Sequence, residues 1–188
     1  GFESGPGAWS IEGGLWEIGV PTGAGGPAPF AGGRVAGTAL AGNYGSTQDA
    51  RLLTPVFSVP PADQTPRLTF VSWYEIGAND RGVLEVRLAG GAWQEVAGQR
   101  LTESNGGAWA RHSVDLRAWA GQSVQFAFRL VASFNNVRGD SALGWYLDEV
   151  RLETGAMTLV TPAGFESGFG DWSVEGGVWQ VGTPSGSG

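Results

Sequence analysis

The opening of this chain recurs at its end. Residues 1–25, GFESGPGAWSIEGGLWEIGVPTGAG, align without a gap with residues 164–188, GFESGFGDWSVEGGVWQVGTPSGSG. Trp9 corresponds to Trp172 and Trp16 to Trp179, and several of the differences exchange one apolar residue for another. A repeat distance of about 160 residues is that of a whole domain, whereas solenoid units are far shorter. The sequence therefore predicts a domain at 1–153, a short linker at 154–163 and the start of a next repeat at 164–188.

Strand-like segments fill the predicted domain. Runs that alternate apolar and polar residues, or that are rich in aromatic and β-branched residues, are separated by turn-forming residues, and glycine alone accounts for 33 of the 188 positions. The Gly90-Gly91 pair favours a hairpin within 83–97. We predict an all-β fold, an antiparallel two-sheet β-sandwich of the jelly-roll type. Its predicted strands lie near 14–18, 34–40, 50–59, 67–75, 82–88, 93–97, 108–116, 123–132 and 145–152.

Composition narrows the functions that such a domain can have. A formal net charge of -7 makes nucleic acid and anionic membrane surfaces poor partners. The absence of cysteine excludes disulfides and thiolate zinc sites. All 11 basic residues are arginines, which excludes lysine Schiff-base chemistry. No apolar run approaches the roughly 20 residues of a membrane helix, so we expect no membrane insertion.

The sequence also carries no recognisable catalytic motif. Its single histidine, His112, lies in a strand-like segment without a serine nucleophile motif, so we predict a structural role for it. A P-loop, a dinucleotide fingerprint and an HExxH motif are absent. A pair of acidic residues lining a cleft is the one catalytic alternative left open. We therefore expect a protein that is not an enzyme.

Several blocks of sequence occur in an order that resembles a known family. These are FE near the start with two tryptophans, then ARLLTPVFSV, RLTFVSWYE, WARHSVDLRAWAGQSVQFAFRL and GWYLDEVRL. Together they resemble a MAM-type (concanavalin-like) jelly roll, in the bacterial form appended to secreted proteins such as immune inhibitor A metalloproteases. The resemblance spans residues 2–152. It implies an extracellular or cell-surface module for adhesion, oligomerisation or accessory binding, although the disulfides of eukaryotic MAM domains are missing here.

Two acidic residues predict a site for a hard cation. Strand alternation places Asp148 on one face with Tyr146, Val150 and Leu152, a row that we predict to be core. Glu3 would be buried and need a partner in the same way if the first strand pairs beside the last. A buried carboxylate needs an arginine, backbone amides or a cation. Calcium binds carboxylates together with loop carbonyls. The resemblance also implies a structural ion here, so calcium and hydrogen bonding are the two alternatives.

Two further sets of residues extend the metal prediction. Glu166 is the copy of Glu3 and would serve the following repeat. Glu75, Asn79 and Asp80 form a second acidic cluster, for which a polar hairpin loop is the alternative to a role as ligands.

Nine tryptophans raise the question of sugar binding. Trp93, at the predicted hairpin, and Trp119, beside Gly121, can be exposed and are the candidate glycan contacts. Four others lie in apolar patterns and are predicted to be core residues: Trp9, Trp16, Trp73 and Trp145.

Two functional hypotheses follow. The first is a structural or adhesive repeat of an extracellular protein, whose repeated segment adds to a sheet edge of a neighbouring repeat or an identical subunit and can build filaments. The alternative is a carbohydrate-binding accessory module of a secreted enzyme. Under the first hypothesis the assembly interface consists of Phe165, Trp172, Val174, Val178, Trp179 and Val181.

Overall fold

The computed structural model describes residues 1–133 and 142–156, together with the single residues 165, 172, 181 and 182. Strands dominate these residues, with two short 3₁₀ helices at Ala62–Gln64 and Arg117–Trp119. The strands are β1 (Ser10–Glu12), β2 (Glu17–Gly19), β3 (Val35–Gly37), β4 (Gln48–Leu53), β5 (Phe57–Ser58), β6 (Arg67–Glu75), β7 (Arg81–Leu88), β8 (Gln94–Leu101), β9 (Ala110–Asp115), β10 (Ser123–Ala132) and β11 (Gly144–Glu153).

The strands form two antiparallel sheets. One has the order β1-β4-β10-β7-β8, with β5 also paired to β10, and is the six-stranded sheet. The other has the order β2-β3-β11-β6-β9 and is the five-stranded sheet. The predicted hairpin is present between β7 and β8, where Gly90 has a φ of 77° that an L side chain adopts only with strain. The all-β sandwich predicted from the sequence is confirmed.

The main core lies between the two sheets. Alternation on β10 turns Phe126 and Phe128 inward, and both are fully buried, as is Trp145 on β11. Phe128 meets Trp145 edge to face, with ring centroids 5.6 Å apart. Each such side chain contributes roughly 1.5–3 kcal/mol by leaving water, so these rings account for much of the attraction between the sheets.

Residues 1–25 contribute an edge strand to each sheet. β1 pairs with β4 at the edge of the six-stranded sheet, and β2 pairs with β3 at the edge of the five-stranded sheet. Phe2, which precedes β1, and Trp16, which lies between β1 and β2, are buried in the core and are each only 3% exposed. The half-buried Trp9 packs on Phe2 with ring centroids 5.2 Å apart. The repeated sequence therefore forms one edge of the sandwich, with a strand in each sheet and two aromatic side chains in the core.

A second, smaller core covers the outer side of the five-stranded sheet. Trp73 and Tyr146 project to that side and meet edge to face, with ring centroids 5.5 Å apart. The chain between β2 and β3 covers this side of the sheet. It is fixed there by a hydrogen bond of 3.0 Å from Nε1 of Trp109 to the carbonyl of Ala28. Phe30 packs on Trp109 at the edge of this cover.

Besides β1, which was not predicted, two features of the strands differ from the sequence prediction. The predicted strand at 50–59 is divided into β4 and β5, because Pro55 has no N–H to donate to a ladder. In β11 the register shifts between Asp148 and Arg151, and Glu149 adopts a φ of 51°. This bulge breaks the alternation on which the predicted core row depended.

The predicted core row is therefore wrong as a single row. Tyr146 and Asp148 are buried, but on the outer side of the five-stranded sheet under the covering loop. Past the bulge, Val150 packs against the main core and Leu152 is 41% exposed. The prediction that Trp16, Trp73 and Trp145 are core residues is confirmed.

Candidate functional site

The outer side of the six-stranded sheet carries an array of charged and amide side chains, which we call the polar face. It arises because alternate residues of each strand point away from the core, so that Gln125 and Arg129 face outward next to the inward Phe126 and Phe128. Strand register places the other members beside them. The polar face comprises Glu12, Asp49, Arg51, Arg81, Glu85, Arg87, Glu95, Arg100, Gln125 and Arg129.

Glu85 lies at the centre of the polar face and is 4% exposed. Its two carboxylate oxygens accept from Nε of Arg51 at 2.7 Å and from Nη1 of Arg129 at 3.0 Å. Arg129 also donates to both oxygens of Asp49, at 2.7 and 2.8 Å, and this hydrogen bonding lowers the pKa of Asp49. Charge-assisted, two-point pairs of this kind hold guanidinium groups in fixed planes.

Arg87 is held by a different set of neighbours. It donates from Nε and Nη2 to Oε1 of Gln125, at 3.0 and 2.7 Å. Gln125 is itself fixed, because its Nε2 donates to the carbonyl of Thr54 at 2.8 Å. The indole of the half-buried Trp93 lies 4.3 Å from the Arg87 guanidinium carbon, a cation–π contact. Trp93 thus stands over the polar face, and the guanidinium of Arg51 is 5.9 Å from its ring.

The two tryptophans predicted to contact glycans do not share a surface. Trp93 lies on the polar face, whereas Trp119 packs edge to face on Phe126, with ring centroids 5.8 Å apart. Phe126 points into the core, on the opposite side of the six-stranded sheet from Arg87. Trp119 is half-buried against the core. Only Trp93 therefore lies beside polar groups that could orient a ligand.

Glu3 and Asp148 both contact the loop at residues 31–34, although neither β1 nor β2 pairs with β11. The carboxylate of Glu3 accepts from the backbone N–H of Gly33 at 3.1 Å and of Arg34 at 2.9 Å. Asp148 is fully buried and accepts from Ala31 N at 3.0 Å. Backbone hydrogen bonds lower the pKa of Glu3, whereas burial raises the pKa of Asp148. Backbone amides, the alternative to a cation, donate to both carboxylates, with two amides for Glu3 and two for Asp148.

Two carboxylates beside this loop supply only part of the oxygen ligands that calcium takes. A Cβ on Gly32 would lie 2.6 Å from Oε1 of Glu3, so the loop backbone packs directly against the carboxylate. Glu149 lies nearby, but it is paired with Arg151 and its N–H donates to Asp148 at 2.7 Å. In the described part of the chain, no three His, Asp or Glu side chains gather as a metal site. The calcium prediction for Glu3 and Asp148 stays a prediction.

The second acidic cluster is a hydrogen-bonded turn. Asp80 is 4% exposed and accepts from the Tyr44 hydroxyl at 2.6 Å and from Ser133 N at 2.8 Å. The carbonyl of Asn79 accepts from the Ser133 hydroxyl, and Glu75 ends β6 as an exposed residue. These contacts stabilise the β6–β7 turn, and the prediction that Glu75, Asn79 and Asp80 bind metal stays untested.

Three residues of the predicted assembly interface are described. Phe165 and Trp172 are 43% and 48% exposed, and their ring centroids are 5.6 Å apart at an interplanar angle of 58°. The corresponding pair, Phe2 and Trp9, has a separation of 5.2 Å and an angle of 65°. Val181 is half-buried. Glu166, Val174, Val178 and Trp179 lie outside the described residues.

Sequence reasoning did not identify Arg87, Gln125 and the Glu85 network as a site. A signal existed in the alternation of β7, RGVLEVRL, which sets Arg81, Glu85 and Arg87 on one side. Their partners come from β4 and β10, which are distant in sequence. The strand order that joins them cannot be obtained from local patterns.

Comparison with known proteins places the chain among bacterial β-sandwich modules. No protein-family model matches it. Bacillopeptidase F of Bacillus subtilis (strain 168) is 33% identical over 158 residues, which cover 80% of this chain and 10% of that protein. The chain thus spans about a tenth of the length of this curated relative.

Two solved structures share the fold. TmCBM61 in complex with β-1,4-galactotriose has a TM-score of 0.56 at 14% identity, covering 82% of this chain and 94% of that one. The K2 cleaved adhesin domain of Lys-gingipain (Kgp) has a TM-score of 0.50 at 16% identity, covering 81% and 94%. At such identities the similarity shows the fold alone. With the bacterial relative, it confirms the predicted resemblance to a bacterial β-sandwich module.

Among the described residues, no helix has the length and apolar character needed to span a membrane.

Proposed function

We propose that this chain is a non-catalytic, glycan-binding module of an extracellular bacterial protein, and that it binds sugar on the polar face. The observation that carries the proposal is Trp93, a half-buried indole held above a preorganised set of guanidinium and amide groups. Ligand sites typically combine aromatic surface with a few well-placed polar groups.

The arrangement suits a sugar for two physical reasons. A pyranose ring has a C–H surface that packs on an aromatic ring, and it has hydroxyls at its edge that need donors and acceptors. Arg87 supplies donors next to Trp93, and the exposed carboxylate of Glu95 supplies acceptors on the same face. The buried Glu85 and Gln125 hold the arginines in place. Because salt bridges and hydrogen bonds already fix these side chains, binding costs little additional side-chain entropy.

The comparisons support the proposal. TmCBM61, which has the same fold, is found in complex with a galactotriose. The Lys-gingipain fragment is an adhesin domain, and bacillopeptidase F is the protein in which a related segment occurs. These facts favour an accessory role outside the cell.

Affinity electrophoresis of the wild-type chain through gels that contain plant or bacterial polysaccharides tests this function. Retardation by at least one polysaccharide is expected, and Trp93→Ala should abolish it. Trp119→Phe is the matched control, because this indole lies on the core side of the same sheet. If no polysaccharide and no glycan on a broad array binds the wild type, the proposal is wrong. Retardation unaffected by Trp93→Ala would also contradict it.

Assembly through the repeated segment is a second candidate function. In favour of it, Phe165 and Trp172 adopt nearly the same mutual geometry as Phe2 and Trp9, yet remain exposed. The edge positions that residues 1–25 occupy are also the places where sheets exchange strands most readily. Residues 164–188 of one unit could therefore occupy, in another unit, the place of its own first 25 residues.

Sedimentation velocity across a range of protein concentrations tests this second function. The intact chain should form dimers or larger species, and a variant with both Phe165→Ser and Trp172→Ser should remain monomeric. Deletion of residues 164–188 should have the same effect as the double substitution. Assembly that persists in both variants would contradict strand exchange, as would a strictly monomeric wild type.

A further inference from the structure

The polar face has an unusual charge for this protein. The chain as a whole carries a formal net charge of -7. Four of its acidic residues lie on the polar face, namely Glu12, Asp49, Glu85 and Glu95. Five of its 11 arginines lie there too, namely Arg51, Arg81, Arg87, Arg100 and Arg129. With five arginines against four carboxylates, the polar face of this acidic protein has one positive charge in excess at the place where we propose that sugar binds.

Three of these arginines are neutralised by carboxylates. Arg51 and Arg129 share Glu85, and Arg129 also pairs with Asp49. Arg100 pairs with Glu95 at 2.8 Å. Arg51, which also lies 3.9 Å from Glu12, forms one network with Arg129, Glu85 and Asp49, and Arg100 forms a separate pair with Glu95. They are therefore poor candidates for attracting a charged ligand.

Neither Arg81 nor Arg87 has a carboxylate partner among the described residues, and of the two Arg87 is the one that contacts Trp93. Within the described residues no carboxylate lies in salt-bridge range of it, and its contacts are the Gln125 amide and the Trp93 indole. Gln125 is only 9% exposed and anchored to Thr54, so the support is rigid. A guanidinium has five N–H donors. The side-chain oxygen of Gln125 accepts one N–H from Nε and one from Nη2. Both N–H groups of Nη1 and the second N–H of Nη2 remain, and they point away from the amide.

We propose that Arg87 binds the carboxylate of an acidic sugar, a hexuronic acid, whose ring packs beside Trp93. This inference rests on the proposed glycan-binding function and specifies its ligand class. The two terminal nitrogens of Arg87 match the two oxygens of a planar carboxylate, a geometry that a lysine cannot provide. An isolated guanidinium that lacks its own carboxylate gains more from such a ligand than the paired arginines around it.

Polygalacturonate in its free-acid and its fully methyl-esterified forms provides the test. The two polymers share a backbone, and only the free acid offers carboxylates. We expect the wild type to bind the free acid at least about tenfold more tightly than the ester, the range for a hydrogen bond to a charged group. Arg87→Gln should remove this preference, so that the two polymers bind equally, because it should weaken binding of the free acid more than binding of the ester. Arg87→Lys should restore only part of it, because the charge remains but the planar fork is lost.

The controls separate this inference from general electrostatics and from the proposed function. Arg117→Gln removes the same charge from an exposed arginine that lies off the polar face, and it should keep the full preference. Equal binding of both polymers by the wild type would overturn the uronic acid inference and leave glycan binding intact. Binding of a sulfated polysaccharide in preference to polygalacturonate would overturn it as well. A failure to bind any polysaccharide would overturn both proposals, and thermal midpoints would show that the variants are folded.

Discussion

His112 combines a titratable ring with a largely apolar environment. Its imidazole stacks on Phe70 at 4.7 Å, and Nε2 lies 2.8 Å from the Ser72 hydroxyl. Burial lowers the pKa of His112 from 6.5 to about 4. The unfolded chain therefore takes up a proton at higher pH than the folded chain does. The stability that the neutral ring provides is complete above pH 6.5 and is lost as the pH falls towards 4.

An NMR titration of the imidazole checks this prediction. The midpoint should be near pH 4, and a midpoint near 6.5 would contradict it. In a companion measurement, His112→Gln should flatten the decline in the free energy of unfolding between pH 6.5 and 4.

Asp148 allows the calcium prediction to be tested. A fully buried carboxylate next to Glu3 is destabilised by desolvation and by repulsion, and a divalent cation would offset both effects. Calcium should therefore raise the thermal midpoint, and a chelator should reverse the change. At one hundred times the dissociation constant the gain is about 2.7 kcal/mol. Asp148→Asn should be insensitive to either reagent. If the wild type is also insensitive, the backbone amides of residues 31–34 are sufficient and the calcium prediction is wrong.

At the scale of elements, the turn between β1 and β2 depends on two adjacent glycines with different constraints. Gly13 and Gly14 have φ values of 78° and 71°, so alanine at either position costs about 1–3 kcal/mol in backbone strain. A Cβ on Gly13 would also overlap the Asp49 carbonyl oxygen and lie 2.9 Å from Cα of Ala50. A Cβ on Gly14 would meet nothing within 4 Å.

Urea unfolding of the two alanine variants should separate these effects. Gly13→Ala is expected to lose about 1–3 kcal/mol more than Gly14→Ala, the usual cost of forcing an extra group into packed structure. Equal losses would show that β1 moves away from β4 without cost and that the edge strand is loosely held.

The sequence allowed most elements to be predicted, because alternation and turn residues are local properties. The long strands β6, β7 and β10 and the Gly90 turn were identified in this way. β1 was missed, since it is only three residues long and has no buried residue to mark it. The bulge at Glu149 was missed too, because nothing in WYLDEVRL marks the residue that takes a positive φ.

The candidate site was less predictable, because it depends on contacts between strands that are distant in the sequence, and these are not local properties. Trp93 was identified from its place in the hairpin. Its partners Arg87 and Gln125 face each other only once β7 lies beside β10, and these strands are far apart in the sequence. A site that depends on strand order cannot be recognised from the sequence of each strand alone.

At the scale of the whole molecule, the sandwich holds its two chain ends differently. The N-terminal side enters through β1 and β2, which pair over three residues each at sheet edges. The C-terminal side leaves through β11, which has β3 on one side and β6 on the other. Beyond β11, the carbonyl of Gly155 accepts from the Thr65 hydroxyl and from Arg67, each at 2.7 Å. The end of the described domain is thus tied down firmly.

This asymmetry has a mechanical consequence. If the chain is pulled from both ends, the load on one side falls on two short strands that can be peeled away pair by pair. On the other side it falls on β11, which pairs with β6 along most of its length, pairs with β3 at Tyr146 and Leu147, and is followed by the hydrogen-bonded Gly155. The unit would therefore yield at its first residues while the rest of the sandwich stays intact. Peeling would open the cavity left by Phe2 and Trp16. If such units are joined in tandem, the matching segment of a neighbouring unit would fit this cavity and restore the connection where the first unit has opened.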